Sequence, residues 1–321
     1  MNGILTRRYS EGEIILPSVG IKGRYKWELK RAGKVIRDSG GWHENLITNT
    51  GMNSFVIQDF PTQLAYANVG TSAVAPAFTD VALGAEVATA VRPRVSLVAS
   101  TYVAGPPDYW YRRNQYTWTE TFANGNLTEF GIFDPAHNLI IRQLLKDGVG
   151  APTVIIKTNL DQLIITHEYR IYVPIVDVAS VVVISGVNYD VVTRPTNANS
   201  AFGWAQVLGS GFAGLGMPKA LETNVLAVRT STPGDGIIST NGAATAYVPG
   251  NFYIENQCEW QPGFANFPTG IGMITSFSSA PGGSGANDST GMFQHQFTPK
   301  IPKINTQKLT LFVRRSWARY P

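Results

Sequence analysis

Apolar residues fall two apart between positions 163 and 173, a spacing that a strand supplies and a helix does not. Leu163, Ile165, Tyr169, Ile171 and Val173 share one parity with His167, while Thr166, Glu168 and Arg170 share the other. Strand side chains alternate faces, whereas a helix needs apolar residues three and four apart. One face of this run is therefore buried and the other is wet or at an interface. The residues before it have the same texture. Tyr116-Thr-Trp-Thr-Glu-Thr-Phe122, Leu127-Thr-Glu-Phe-Gly-Ile-Phe133, Leu139-Ile-Ile-Arg-Gln-Leu-Leu145 and Thr153-Val-Ile-Ile156 are short apolar runs broken by Gly, Pro, Asn or Asp. Runs and breaks of this kind mark successive antiparallel strands.

The rest of the chain reads the same way. Residues 1–17 are polar and then apolar, with Ile14-Ile-Leu16 as a short strand in an arm that docks on a neighbour or forms an ordinary edge. Tyr25-Lys-Trp-Glu-Leu-Lys-Arg31 alternates, turns at Ala32-Gly33 and returns through Lys34-Val-Ile-Arg37, which is a hairpin. Residues 51–60 are the one helix expected in the first half, with Met52, Phe55 and Val56 on one side and Pro61 ending it. Residues 64–70, 91–103, 181–184, 189–193 and 221–229 have strand character, and Lys308-Leu-Thr-Leu-Phe-Val313 closes the chain before Trp317. Residues 198–218 are small and Gly-rich, and 231–247 and 280–291 are long loops of Gly, Ser, Thr and Asn. Such loops are mobile tips or insertions into a neighbour.

A chain of 321 residues has room for about two domains of ~150 residues each. The predicted fold is all-β: two antiparallel β-sandwich-like modules with long Gly/Ser-rich loops and few short helices. One spans 1–177 with its N-terminal arm and the other 178–321. Charged residues are 15% of the chain, against about 25% in typical domains. A surface poor in charge and rich in aromatics suggests coverage by partners, although a large β-protein with many turns has the same composition. The net charge is +4, but apart from Arg112-Arg113 and Arg314-Arg315 the basic residues are scattered. A nucleic-acid binder concentrates them in a stripe, so no nucleic acid is expected. The single cysteine, Cys258, excludes an intrachain disulfide framework and reads as a small core residue. No apolar stretch near the N-terminus resembles a signal peptide, and Pro174 and Asp177 break the most apolar run, so membrane insertion is not expected.

One internal similarity points to a divergent duplication. Trp118-Thr-Glu-Thr-Phe-Ala-Asn124 matches Trp260-Gln-Pro-Gly-Phe-Ala-Asn266 at an offset of 142 (260 − 118). Leu163-Ile-Ile matches Leu309-Thr-Leu at 146 (309 − 163). Both offsets suit two modules in this length, and chance likeness between Gly-rich β-sequences is the competing reading.

Signs of chemistry are few. His43, His137, His167 and His295 form no HExxH or close pair, and no GxSxG, P-loop or dinucleotide fingerprint occurs. No cofactor, metal or catalytic residue is assigned, and the chain is not expected to be an enzyme. The enzymatic alternative is a glycan depolymerase, which needs two carboxylates about 5–9 Å apart. Asp108, Glu120, Glu129 and Asp134 are candidates, with Glu129 reading more simply as an outward strand residue. The best local binding feature is Tyr109-Trp-Tyr111 followed by Arg112 and Arg113. Tyr109, Trp110, Tyr111, Arg112 and Arg113 suit a glycan or, as the preferred reading, burial in a subunit interface or the core, because Tyr and Trp combine an apolar body with a polar tip.

Several segments in order resemble a known group. Asn45-Leu-Ile-Thr-Asn-Thr-Gly51, Val69-Gly-Thr-Ser-Ala-Val-Ala-Pro76 and Thr79-Asp-Val-Ala-Leu-Gly-Ala85 are similar to a pattern in tail and other minor virion proteins of tailed bacteriophages. Leu127-Thr-Glu-Phe-Gly-Ile-Phe133, Pro152-Thr-Val-Ile-Ile-Lys157, Tyr169-Arg-Ile-Tyr172, Ile184-Ser-Gly-Val-Asn-Tyr189 and Arg315-Ser-Trp-Ala-Arg319 follow in the same order. The resemblance covers 45–195 well and the remainder loosely. It implies a structural subunit of the tail apparatus (sheath, collar, baseplate or short fibre) located in the virion. Its partners would be copies of itself in a ring or trimer and other tail or head-tail connector proteins. The alternative is a receptor-binding tail protein that recognises a host surface glycan.

Overall fold

The computed structural model describes residues 12–56, 60–87, 90–196, 218–227, 236–239, 241–276 and 292–321. Strands take 54% of the chain and helices 4%, which settles the class as all-β. In chain order the first strands are β1 (Gly12–Ile15), β2 (Val19–Arg31), β3 (Lys34–Asp38) and β4 (His43–Ile47). Helices α1 (Asn49–Ser54) and α2 (Phe60–Gln63) follow, then β5 (Tyr66–Gly70), β6 (Arg92–Pro93), β7 (Val95–Val103) and β8 (Tyr109–Trp118). Next come β9 (Gly125–Leu127), β10 (Glu129–Phe133), β11 (Leu139–Leu144), β12 (Ile155–Lys157), β13 (Asp161–Tyr172), β14 (Val178–Ile184) and β15 (Val187–Pro195). The chain ends with β16 (Lys219–Leu221), β17 (Ile237–Ile238), β18 (Asn241–Ala244), β19 (Tyr253–Trp260), β20 (Ile271–Ser276), β21 (Phe293–Ile301) and β22 (Leu309–Arg319). The Gly-rich stretch at 198–217, the first eleven residues and the loop at 280–291 lie outside the described residues, as does part of 231–247.

The chain divides into two compact units. One comprises residues 21–103, 110–172 and 319–321; the other takes 173–318 together with 104–109 and, among the described residues, 12–20. The N-terminal segment therefore belongs with the later residues, because β1 pairs in parallel with β22 from Gly12↔Leu311 to Ile15↔Arg314.

In the unit built on 21–172 the strands run in the order β6-β5-β10-β11-β4-β2-β13-β8-β7, with β3 also paired to β2. The strands at the two ends of this path, β6 and β7, are separated in sequence by Arg94 alone. That single-residue link draws the ends together, so the sheet is nearly closed and barrel-like. Alternation along β2 sends Ile21, Tyr25, Trp27 and Leu29 inward and Lys22, Arg24, Lys26, Glu28 and Lys30 outward. Inside, Phe55, Phe60 and Tyr169 pack ring against ring at 4.6–5.6 Å. Thr48 caps α1 by accepting from the Gly51 amide, and the helix buries Met52. The single helix expected over 51–60 is two short pieces instead, with 57–59 outside the described residues. Pro61 does not end a helix but stands in the first turn of α2, where its missing N–H leaves no intrahelical bond unmade.

The other unit pairs β1, β22, β19 and β18 in one sheet and β14, β15, β21, β20, β16 and β17 in another. Val182 and Ile184 of the second sheet lie where a side chain on Gly12 would project, within 2.6–2.9 Å, so glycine sets how closely the sheets approach there. β14 and β15 turn over Ser185 and Gly186, both at positive φ, in a two-residue hairpin with Ile184↔Val187 as its last pair. Of the strand expected over 221–229, only its start belongs to a strand, Lys219–Leu221; 222–227 are not strand, and 228–229 lie outside the described residues.

Each unit contains the same hydrogen-bonded station, at the positions of the sequence similarity. Trp118 ends β8 and donates to the Ala90 carbonyl; Trp260 ends β19 and donates to the Ile237 carbonyl at 3.0 Å. In both loops an alanine takes a positive φ, 55° at Ala123 and 52° at Ala265. Buried Lys157 donates to the Thr119 and Glu120 carbonyls and to Asn124 Oδ1 at 2.8, 3.4 and 2.9 Å. Buried Lys303 donates to the Gln261 and Phe264 carbonyls and to Asn266 Oδ1 at 3.0, 2.6 and 3.0 Å. Adjacent turns correspond too. Asp161 accepts from the Thr158 amide at 2.8 Å, and Gln307 accepts from the Ile304 amide at 3.2 Å.

Candidate functional site

The outward faces of β2, β13 and β8 carry a cluster of charges and rings in the barrel-like unit. β13 lies between β2 and β8, and side chains of one parity stand side by side across the three strands. Glu168 of β13 is fully buried there under three guanidinium groups. Arg24 of β2 donates its Nε to Oε1 at 2.8 Å, Arg113 of β8 to Oε2 at 2.6 Å, and Arg170 of β13 to Oε1 at 2.7 Å. Arg170 also donates to the Tyr172 hydroxyl at 3.3 Å. Burial alone would raise the Glu168 carboxyl, but the bonds from Arg24, Arg113 and Arg170 outweigh it and hold the group below the usual range.

Trp42, on the approach to β4, receives three of these cations. Its ring centroid lies 4.5 Å from the Arg24 guanidinium, 5.4 Å from that of Arg113 and 5.7 Å from the Lys26 ammonium. Arg113 also stands 4.7 Å from the centroid of Tyr111. These distances are in the range of favourable cation–π contact.

The structure thus splits the five residues that the sequence grouped. Tyr109, Tyr111 and Arg113 share the outward parity of β8, and Tyr111 and Arg113 join the cluster. Trp110 and Arg112 have the opposite parity; Trp110 is buried and lies 5.5 Å from the ring of Tyr102. The signal for this division was present in the sequence, because adjacent residues of a strand face opposite sides. Arg24, Trp42 and Glu168 were missed as partners because strand pairing, not sequence proximity, brings them together. The alternating Lys22, Arg24 and Lys26 were the available sign.

The carboxylate candidates stand apart, each with a local structural task. Glu129 does not face outward: it is fully buried and accepts from the Ala85 and Gly84 amides at 2.9 and 3.2 Å and from Arg142 Nε at 2.9 Å. Arg142 extends to Asp80 at 2.6 Å, so the pair fastens the loop at 71–86 onto the sheet. A side chain at Gly70 would meet Glu129 Oε1 at 2.5 Å, so glycine is required beside this node. Asp134 accepts from the Ala136 and Asn138 amides within its own turn, Asp108 from the Gly105 amide, and Glu120 is exposed.

The histidines are dispersed. His43 bonds the Ser39 carbonyl, and His137 stacks on Phe133 and reaches Glu86. His167 is enclosed, and burial lowers it to about 3. His295 lies between the Thr193 and Ser276 hydroxyls at 3.0 and 3.2 Å, sealed with both of them in the six-stranded sheet. Burial lowers His295 to about 3 as well. Cys258 is a buried free thiol, pushed up to about 12 by burial. Among the described residues no three His, Cys, Asp or Glu groups stand together as metal ligands would.

A cavity of about 340 Å³ opens elsewhere in the barrel-like unit, lined in part by Lys22, Glu44, Phe78, Gln143 and Arg319. Most of its polar groups are engaged: Lys22 with Glu44, Gln143 with the Glu44 carbonyl, and Arg319 with Ile47 and Asn49. No protein-family model matches the chain, and no curated protein or solved structure is significantly similar to it.

Proposed function

We propose that the chain is a structural subunit of a tailed-phage particle and works by protein–protein assembly. The resemblance of segments 45–195 supplies the class. The observation that supports assembly is β14, which among the described residues is the end strand of its sheet. Among the described strands β14 pairs only with β15, leaving one row of its backbone groups open along Val178–Ile184. That strand carries no charge or proline, and Val181 and Val183 are 58% and 49% exposed. Monomeric proteins protect edges with charge, proline or bulges, and an unprotected apolar edge is a template for another strand.

Light scattering across a concentration series tests this reading. A stable trimer or ring, or a monomer that oligomerises when the other particle proteins are added, is the expected result. A monomer at every concentration, unchanged by those proteins, would remove assembly as the function. Adhesion to a host-surface glycan is the second reading, favoured by the outward Tyr111 and Arg113 beside Trp42.

A further inference from the structure

The Glu168 cluster carries more positive charge than its own structure uses. Three guanidinium groups surround one carboxylate, and the Lys26 ammonium stands over the same Trp42 ring. Glu28 is the next acid on β2, and it is shared between Lys26 and Lys30. Arg24 and Arg113 each spend only Nε on Glu168, one on each carboxylate oxygen. Their side chains remain 27% and 33% exposed, and among the described residues no acceptor meets their outer Nη atoms. Two guanidinium forks are therefore fixed by a buried carboxylate while their side chains stay part-exposed. A fork held in this way is pre-organised for an oxyanion, whose two oxygens match its geometry.

The surroundings select what carries that oxyanion. The outward positions nearby are polar: Lys22, Lys26 and Lys30 on β2, and Gln115 and Thr117 on β8. A protein interface needs a desolvated centre depleted of charge, which this face lacks. It offers instead two part-exposed rings, Trp42 and Tyr111, over which the same guanidinium groups stand. Flat aromatic faces pack on the apolar C–H face of a sugar ring while the polar rim takes its substituents.

We propose that this face binds an acidic saccharide, with a carboxylate or sulfate group on the outer nitrogens of Arg24 and Arg113 and a sugar ring on Tyr111 or Trp42. The inference deepens the adhesion reading by naming the ligand class, and its chemistry stands whether or not the chain belongs to a particle.

Calorimetric titration of the full chain tests it, with an oligogalacturonate, a heparin-derived hexasaccharide, neutral maltohexaose, inorganic sulfate and poly-glutamate as probes. One or both acidic oligosaccharides should bind saturably and weaken with salt, while maltohexaose should not bind. Arg113→Gln should weaken binding by about tenfold or more, and Trp42→Phe should remove any accompanying change in tryptophan fluorescence. Should Arg113→Gln not fold, Arg113→Lys keeps the charge and loses the fork, and Tyr111→Ala leaves Glu168 untouched; both should still weaken binding. The proposal is overturned if a folded chain binds neither acidic oligosaccharide, or binds maltohexaose equally well. Poly-glutamate binding of equal strength would point to a protein partner and would also overturn it. Inorganic sulfate competing as well as the oligosaccharides would remove the sugar contact. Adhesion to cells with no oligosaccharide binding would keep the adhesion reading and sink this site.

Discussion

Glu168 and the two enclosed histidines contribute to how the protein responds to acid, together with Asp161, which the Arg31 hydrogen bond holds well below the usual carboxylate range. Desolvation raises the Glu168 carboxyl, yet the bonds from Arg24, Arg113 and Arg170 bring the net shift below the ordinary value. The folded state then holds this proton more weakly than the unfolded chain, so the stabilisation is complete above about pH 5 and is lost as pH falls further. His167 and His295 act in a higher window. Burial lowers each from 6.5 to about 3, so between those values the unfolded chain takes up protons that the folded one refuses. Stability should decline as pH drops below 6.5, by at most about 1.4 kcal/mol per pH unit for each histidine. Urea titrations at stepped pH should show His167→Leu reducing the slope between pH 6 and 5. An unchanged slope would mean that the folded protein protonates this ring. Glu168→Gln should cost about 3 kcal/mol at neutral pH, because three guanidinium groups lose their counter-charge in a buried site. It should also reduce the slope of the profile below about pH 4.5, where Asp161 still titrates. The sequence placed His167 on the inward parity but could not show Glu168 beneath three arginines, two of which come from other strands. Glu129 was misjudged for the same reason, since its partners are amides of Gly84 and Ala85 and the side chain of Arg142.

At the scale of elements, strands were legible wherever one face is buried and the other polar. The burial of β2 alternates from Val19 to Lys30 as its sequence does, and its hairpin with β3 closes at Arg31↔Lys34. Helix limits were less legible, because α1 is held by the Thr48 cap and by packing of Phe55 on Phe60 and Tyr169 rather than by a long apolar period. The loops after Trp118 and Trp260 show what a short sequence likeness can encode. Each wraps a lysine ammonium with two loop carbonyls and one asparagine oxygen, although the lysine follows the tryptophan by about 40 residues in both cases (157 − 118 and 303 − 260). Removing the ammonium leaves those acceptors without their donor inside a packed loop. Lys157→Met and Lys303→Met should each cost about 1–3 kcal/mol. Hydrogen exchange should rise in residues 119–126 for the first and 261–270 for the second. Protection that falls equally across the whole chain in either variant would show that the lysine does not fasten its own loop.

For the whole molecule, the all-β class, the antiparallel pairing and the scarcity of helix followed from alternation and turn residues. The near-closure of one sheet did not, because it depends on where β6 and β7 lie in strand order, and no local pattern records that. The composition bears on association instead. Charge is low at 15%, and the outward positions of β14 are Ala179, Val181 and Val183, with Val187 continuing the apolar surface across the hairpin. A solvent-facing edge strand would be expected to carry lysine or proline, and β14 carries neither. If this edge joins subunits, a charge on it should act on assembly and leave the fold intact. Val181→Lys and Val183→Lys sit on the exposed face and should change stability by less than about 0.5 kcal/mol. The expected outcome is a lower mass by light scattering at a given concentration with the far-ultraviolet dichroism unchanged. A charge on the edge of an assembled interface must lose its water without gaining a partner, which weakens strand addition far more than it perturbs the free subunit. An assembly whose mass is unaffected by both lysines would place the contact on another face and make β14 a solvent-facing edge that tolerates its valines.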